Sequence, residues 1–98
     1  MTEIHRMPIS YDPEKRALTL THRGLDFEDA RQVFASRRLQ IEDDRFDYGE
    51  TRWQTIGRLN DDLVMVVWTP RGDARHVISM RKCNARERRR YLPRLDGS

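Results

Sequence analysis

The 98-residue sequence contains a single cysteine, Cys83. That excludes a disulfide framework and a cysteine-based zinc site, and it suits a reducing compartment. Long apolar runs are also missing. The longest, Leu63 to Trp68, is far too short to cross a bilayer. The opening Met1-Thr-Glu-Ile-His-Arg-Met lacks the apolar stretch of a secretory leader. The expected location is therefore cytoplasmic, with no membrane partner. There is no glycine-rich phosphate loop. Glu42, Asp43, Asp44 and Asp47 are close together but lack the spacing of a calcium loop. The scattered histidines give no Ser–His–Asp arrangement. Neither a metal nor a cofactor is expected.

What the chain does have is charge. Charged residues make up 36% of it and hydrophobic residues only 37%. This length supports one domain, residues 1–98, around one modest core. A thin core of this kind gains stability from a bound partner. The net charge of +3 is unevenly spread. Residues 1–49 carry 8 Lys/Arg and 10 Asp/Glu, whereas residues 50–98 carry 11 and 6. The basic excess is nearly all arginine, whose planar fork binds phosphate bidentately. A polyanionic partner fits this distribution; the competing reading is a solvated charged surface.

Periodicity orders the elements. Arg6 to Tyr11 reads as a strand. Asp12-Pro13 opens a helix that runs to about Arg23, with Gly24 as terminator. Asp26 caps a second helix, whose Phe27, Ala30, Val33 and Phe34 form one buried face. From residue 39 the period becomes that of strands, at Leu39–Asp43, Thr51–Leu59, Leu63–Thr69 and Arg75–Lys82. Asn60-Asp61-Asp62 and Pro70-Arg71-Gly72-Asp73 supply hairpin turns. Asn84 with Glu87 forms a capping box for a last helix, Ala85 to Leu92, which Pro93 stops. The expected class is α+β: an antiparallel sheet of four to five strands, packed by two N-terminal helices, with a short C-terminal helix.

Alternation along the last strand puts Arg75, Val77, Ser79 and Arg81 on one face, and His76, Ile78 and Met80 on the other, apolar one. Arg52, Gln54 and Arg58 share a face of an earlier strand. If the two arginine faces agree, four guanidinium groups line one side of the sheet, and Tyr91 can close one end. Such a surface suits RNA cleavage by the 2′-hydroxyl, which needs a base, an acid and cations to stabilise the phosphoryl oxygens. Glu50 or His22 can serve as the base. Tyr91 can orient the phosphate or donate a proton. The bland readings are an ion-paired Glu50, a helix-end His22, a core or edge His76, and Trp53 and Trp68 as core residues rather than stacking platforms.

Four ordered motifs carry a family resemblance. These are Ile9-Ser-Tyr-Asp-Pro-Glu-Lys15, then Gly24-Leu-Asp-Phe-Glu-Asp-Ala30 with Val33-Phe34, then Gly49-Glu50-Thr-Arg52 with Ile56-Gly57-Arg58, and last Arg75-His-Val-Ile-Ser-Met-Arg81 with Glu87-Arg88 and Tyr91. Together they resemble the BrnT-type toxins of type II toxin–antitoxin systems. The resemblance covers about residues 9 to 91. It implies a RelE-like fold and a metal-independent endoribonuclease that slows translation and growth. It also implies a BrnA-type ribbon-helix-helix antitoxin as partner, with operator DNA reached only through that complex. The site residues it implies are Glu50, Arg52, Arg58, Arg75, Arg81 and Tyr91 for catalysis, with His22, Arg23, Ser79 and Arg88 for substrate binding. The sequence departs from the family pattern at His22-Arg23, where Lys-His is usual, and at Met80, where alanine is. The alternative is a non-catalytic subunit of a repressor complex that binds RNA or antitoxin.

Overall fold

The computed structural model describes residues 7–97. Strand β1 (Ile9–Tyr11) leads into helix α1 (Pro13–Arg23). A 3-10 turn (Phe27–Asp29) precedes helix α2 (Ala30–Ala35). Four strands follow: β2 (Arg38–Glu42), β3 (Trp53–Leu59), β4 (Asp62–Arg71) and β5 (Ala74–Lys82). Helix α3 (Ala85–Leu95) ends the fold. Arg6, the expected first residue of β1, lies outside the described residues.

The caps work as the sequence suggests. The Asp12 carboxylate accepts the Glu14 amide at 2.9 Å, and Gly24, at φ 68°, donates to the Leu20 carbonyl at 3.0 Å. Asp26 accepts the Glu28 amide, but the turn it caps is the 3-10 turn, so the α2 helix proper is shorter than the apolar spacing suggests. Both hairpin turns are two residues long. Asn60 at φ 56° and Gly72 at φ 57° take the left-handed conformation that such turns require. Strand β4 therefore continues through Pro70. Proline is tolerated there because β3 stops pairing with β4 at Trp53↔Trp68, which leaves that side of Pro70 without a neighbour.

The strand order is β1-β5-β4-β3-β2. β2 to β5 form the antiparallel meander, and β1 adds to β5 in parallel. Helices cover both faces. On the first face, Phe27, Ala30, Val33 and Phe34 pack on Val64, Val66, Trp68, Val77 and Met80. Trp68 sits in this core with its indole N–H on Thr55 Oγ1 at 2.8 Å, and Trp53 packs against the same cluster. On the second face, Tyr91 and Leu95 of α3 cover Ile56, Leu63, Met65 and Cys83.

Pro93 does not end α3. The helix runs on to Leu95, which is 1% exposed, and the Asp96 amide still reaches the Leu92 carbonyl at 3.0 Å. Burying Leu95 offsets the hydrogen bond that Pro93 cannot make.

Gly57 sets how closely α2 approaches the sheet. A Cβ at this position would lie 2.8 Å from Ser36 Oγ and 3.1 Å from Val33 Cγ1. Gly57→Ala should therefore push α2 off β3 and lower unfolding stability by about 1–3 kcal/mol, measured by urea titration. An unchanged midpoint would mean that α2 is free to shift.

Candidate active site

One irregularity fixes where the site residues point. Val67 pairs with Ser79, but Trp68 pairs with Val77, so Ile78 is an extra residue in β5. A bulge of this kind breaks the alternation of faces. Val77 and Arg75 turn towards α2, whereas Ser79 and Arg81 turn towards α3. The expected row of four arginines on one side is thus corrected. Arg52, Arg58 and Arg81 share the α3 face, and Arg75 lies on the opposite one. There its guanidinium stacks 4.4 Å from the Phe34 ring centroid and 5.3 Å from that of Trp68. Burial, and secondarily the charge of Arg38, holds Arg75 below the usual arginine range.

Two of the remaining three arginines clamp α3. Arg81 donates through Nη1 and Nη2 to the two Glu87 oxygens, both at 2.8 Å. Glu87 also closes the capping box, accepting the Asn84 amide at 2.9 Å while Asn84 accepts the Glu87 amide. At the other end of the helix, Arg58 donates to Asp96 at 2.6 Å. Tyr91 is buried between these clamps, with 8% of its surface exposed. It is a core residue of the α3 layer rather than a group at the rim of an open site. Cys83 is buried in the same layer, and burial pushes its thiol up to about 11, which leaves it unreactive.

The half of the sheet that α3 leaves uncovered carries a different group. Arg52 emerges beside β3, about 20 Å along the strand from Arg58 at the rise of extended chain. Its guanidinium lies 3.9 Å from the Tyr48 ring centroid, and its Nε donates to Glu50 at 3.3 Å. Arg71, at the end of β4, reaches the other Glu50 oxygen at 3.8 Å. The loop bearing these groups is anchored by the buried Asp43, which takes a bidentate pair from Arg45 at 2.8 and 2.9 Å and a bond from the Tyr48 hydroxyl at 3.3 Å.

His76 stands on the same side as this group, because Thr69, its partner on β4, follows the bulge. Its Nδ1 lies 2.8 Å from Ser10 Oγ on β1. Partial burial, then the charge of Arg71, pulls its pKa below the ordinary 6.5; Glu50 opposes that pull and Lys15 adds to it.

Lys15 also lines a groove of about 270 Å³ between α1 and β5, together with His22, Arg23 and Ser79. Three of the four expected substrate-binding residues therefore meet in one place. Arg23 has a structural task as well, donating to the Met80 carbonyl at 2.9 Å. The outer edge of β5 is open there because β1 pairs only as far as Val77. The fourth residue, Arg88, lines a shallow groove on a flank of α3 with Ala85, Arg89 and Leu92.

Strict alternation hid His76, and the reading of Pro70-Arg71-Gly72-Asp73 as a turn hid Arg71. The available signal was the adjacent apolar pair Val77-Ile78, which a regular two-faced strand does not need. Among the described residues, no cluster of three or more His, Cys, Asp or Glu is placed to hold a metal ion. None of the described helices is long and apolar enough to cross a membrane.

A five-stranded sheet with an antiparallel meander, helix α2 on one face, a C-terminal helix on the other and α1 packed against β5 defines a RelE-like α+β protein. Within that class, the family model described as "Ribonuclease toxin, BrnT, of type II toxin-antitoxin system" matches residues 11–87, and the chain belongs to that family. A comparison with curated proteins finds no match.

The Arg81–Glu87 pair yields a pH prediction. Its hydrogen bonds from Arg81 hold Glu87 at about 2, against an ordinary 4.5. A carboxylate depressed in the folded state contributes its full stability above the unfolded value and loses it as pH falls through the folded one. Thermal stability should therefore fall from near pH 4.5 down towards 2. Glu87→Gln should flatten that part of the curve and cost on the order of 1 kcal/mol at neutral pH. A mutant with the same acid slope would remove Glu87 from this role.

Proposed function

We propose that the protein is a metal-independent endoribonuclease toxin that cleaves RNA through its own 2′-hydroxyl, and that a BrnA-type ribbon-helix-helix antitoxin neutralises it. The observation that carries this reading is the cluster of His76, Glu50, Arg52 and Arg71 on the uncovered half of the α3 face, beside the groove holding Lys15, His22 and Ser79. His76 is the base. With its pKa held below the ordinary value, the ring is neutral near pH 7. In the tautomer whose Nδ1–H donates to the Ser10 hydroxyl oxygen, Nε2 keeps its lone pair for the 2′-hydroxyl proton. Arg52 and Arg71 stabilise the charge that builds on the phosphoryl oxygens. Glu50 bridges the two guanidinium groups and sets their spacing. The 5′-oxygen leaves into open solvent and takes its proton from water.

In this reading Arg58, Arg81 and Tyr91 act indirectly, by holding α3 against the sheet, and Arg75 serves the other face. Operator DNA is reached only through the antitoxin.

The test is RNA cleavage by the purified protein in excess EDTA. Fragments ending in 2′,3′-cyclic phosphate are expected. Arg52→Ala should lower the rate about a hundredfold, the usual cost of losing one preorganised donor to a developing oxyanion. His76→Ala should remove the acid limb of the pH–rate profile, which in the wild type falls below pH 6.5 as the ring protonates. An acid limb that survives in His76→Ala would dismiss His76 as the base.

The rival reading, a non-catalytic binding subunit, draws on Arg58 and Arg81, whose guanidinium groups already have carboxylate partners within the chain. It requires intact RNA from folded wild-type protein. RNA binding should in either case weaken steeply with salt as phosphate contacts release counterions.

A further inference from the structure

A cavity of about 340 Å³ lies on the α2 face of the sheet, opposite the candidate active site. Met7 and Ile9 wall it on the β1 side, and Phe34 and Ala35 on the α2 side. Two arginines reach it, Arg31 and Arg75. Arg31 is already paired with Glu28 at 3.0 Å. Among the described residues Arg75 has no such pair: its Nε is buried and without a hydrogen-bond partner. Among the described residues the charge that bears on it is Arg38, of the same sign. Stacking on Phe34 and Trp68 steadies the cation but supplies no acceptor. Buried donors without acceptors are rare in folded proteins, and an arginine in this state needs an anion.

The walls narrow the choice of anion. Met7, Ile9 and Ala35 are aliphatic, and the Phe34 ring already carries the guanidinium, so no free aromatic surface is offered to a nucleobase. β1 lies at the end of the strand order, so among the described residues its outer backbone edge, beside the cavity wall at Ile9, has no strand partner. An extended peptide can bond to such an edge and send alternate side chains inwards.

We propose that this cavity docks an extended segment of a partner polypeptide that carries an acidic side chain beside an apolar one. The carboxylate accepts from Arg75 Nε, and the apolar side chain packs against Met7, Ile9 and Ala35. Taking that partner to be the antitoxin rests on the function proposed above; the chemistry of the cavity does not. The site lies on the opposite face from His76 and Arg52, so docking there anchors the partner without occupying the catalytic cluster.

The first experiment follows the Arg75 Nε–H resonance while the full chain is titrated with the blocked dipeptide acetyl-Leu-Glu-amide at millimolar concentration. A shift with this probe and none with acetyl-Leu-Gln-amide is expected. The second measures antitoxin affinity. Arg75→Ala, and Ala35→Trp, which fills the cavity from an exposed position, should each weaken binding about tenfold or more. Ala35→Trp should keep the wild-type melting temperature and RNA cleavage. If the protein cleaves no RNA, the functional reading fails while the dipeptide result still stands on its own. An Arg75 resonance unmoved by the dipeptide, with both variants binding antitoxin as the wild type does, overturns the proposal. So does an Arg75 resonance that shifts with an RNA oligonucleotide instead, or one that moves when residues 1–6 are deleted, since the occupant would then be RNA or the chain's own first residues.

Discussion

Ile78 has no partner on β4, and the position of every functional side chain on β5 follows from that one extra residue. Before it, Arg75 and Val77 face the α2 layer and His76 faces the α3 layer. After it, Met80 takes the α2 side, while Ser79 and Arg81 take the other. Had the strand alternated strictly, Arg75 would share a face with Arg81, and Met80 would leave a core in which it is now fully buried. The bulge lets β5 bury Val77 and Met80 on one face and still present both His76 and Arg81 on the other. Sheets often re-aim a side chain beside a functional site in this way.

The last helix is the second constraint. α3 carries a run of arginines, and of its side chains only Tyr91 and Leu95 are buried. Apolar burial of so few groups is modest for a helix of this length. Pairing supplies the rest. Arg81 and the Asn84–Glu87 capping box hold its first turn, and Arg58 holds Asp96 just past its last. These anchors also limit its coverage. The helix lies over Ile56, Leu63 and Met65, and leaves Gln54, Val67 and His76 partly open. The uncovered strip is where Glu50, Arg52 and Arg71 converge. The length and anchoring of α3 thus shape the candidate site without contributing a group to it.

Much of this fold is legible in the residues. Asp12-Pro13, Gly24, Asn60-Asp61, Gly72-Asp73 and the Asn84–Glu87 box act locally, and each does what its chemistry dictates. The apolar spacing at Phe27, Ala30, Val33 and Phe34 marks the buried face of α2 because that spacing matches the helical period. Three features were not legible. The bulge depends on how Val77-Ile78 meets Val67-Trp68 across two strands. The parallel pairing of β1 with β5 is a long-range contact that no local signal sets. The extension of α3 past Pro93 depends on a core waiting for Leu95. The site shares these limits. His22, Arg23 and Ser79 gather as the resemblance implies, yet the six residues expected for catalysis divide between two faces and a core, because strand alternation and family motif are both blind to an inserted residue.

Counter-charge sorts the arginines further. Arg58 and Arg81 each have a carboxylate to themselves, with the short contacts of charge-assisted bonds. A guanidinium held in this way has fewer free donors for a substrate phosphate, and breaking the pair to bind one would expose a lone carboxylate to a polyanion. Arg52 and Arg71 instead divide one carboxylate, Glu50, at the looser distances of 3.3 and 3.8 Å. One negative charge between two cations leaves a net positive site with donors to spare, which is what a phosphoryl group bearing extra charge requires. Arg75 has no carboxylate partner among the described residues and holds its Nε buried, a state that favours a single buried anion over a mobile, hydrated phosphate chain. The same residue type thus serves structure, chemistry and docking in one small domain, and what separates the three roles is how much of each positive charge the chain's own carboxylates already neutralise.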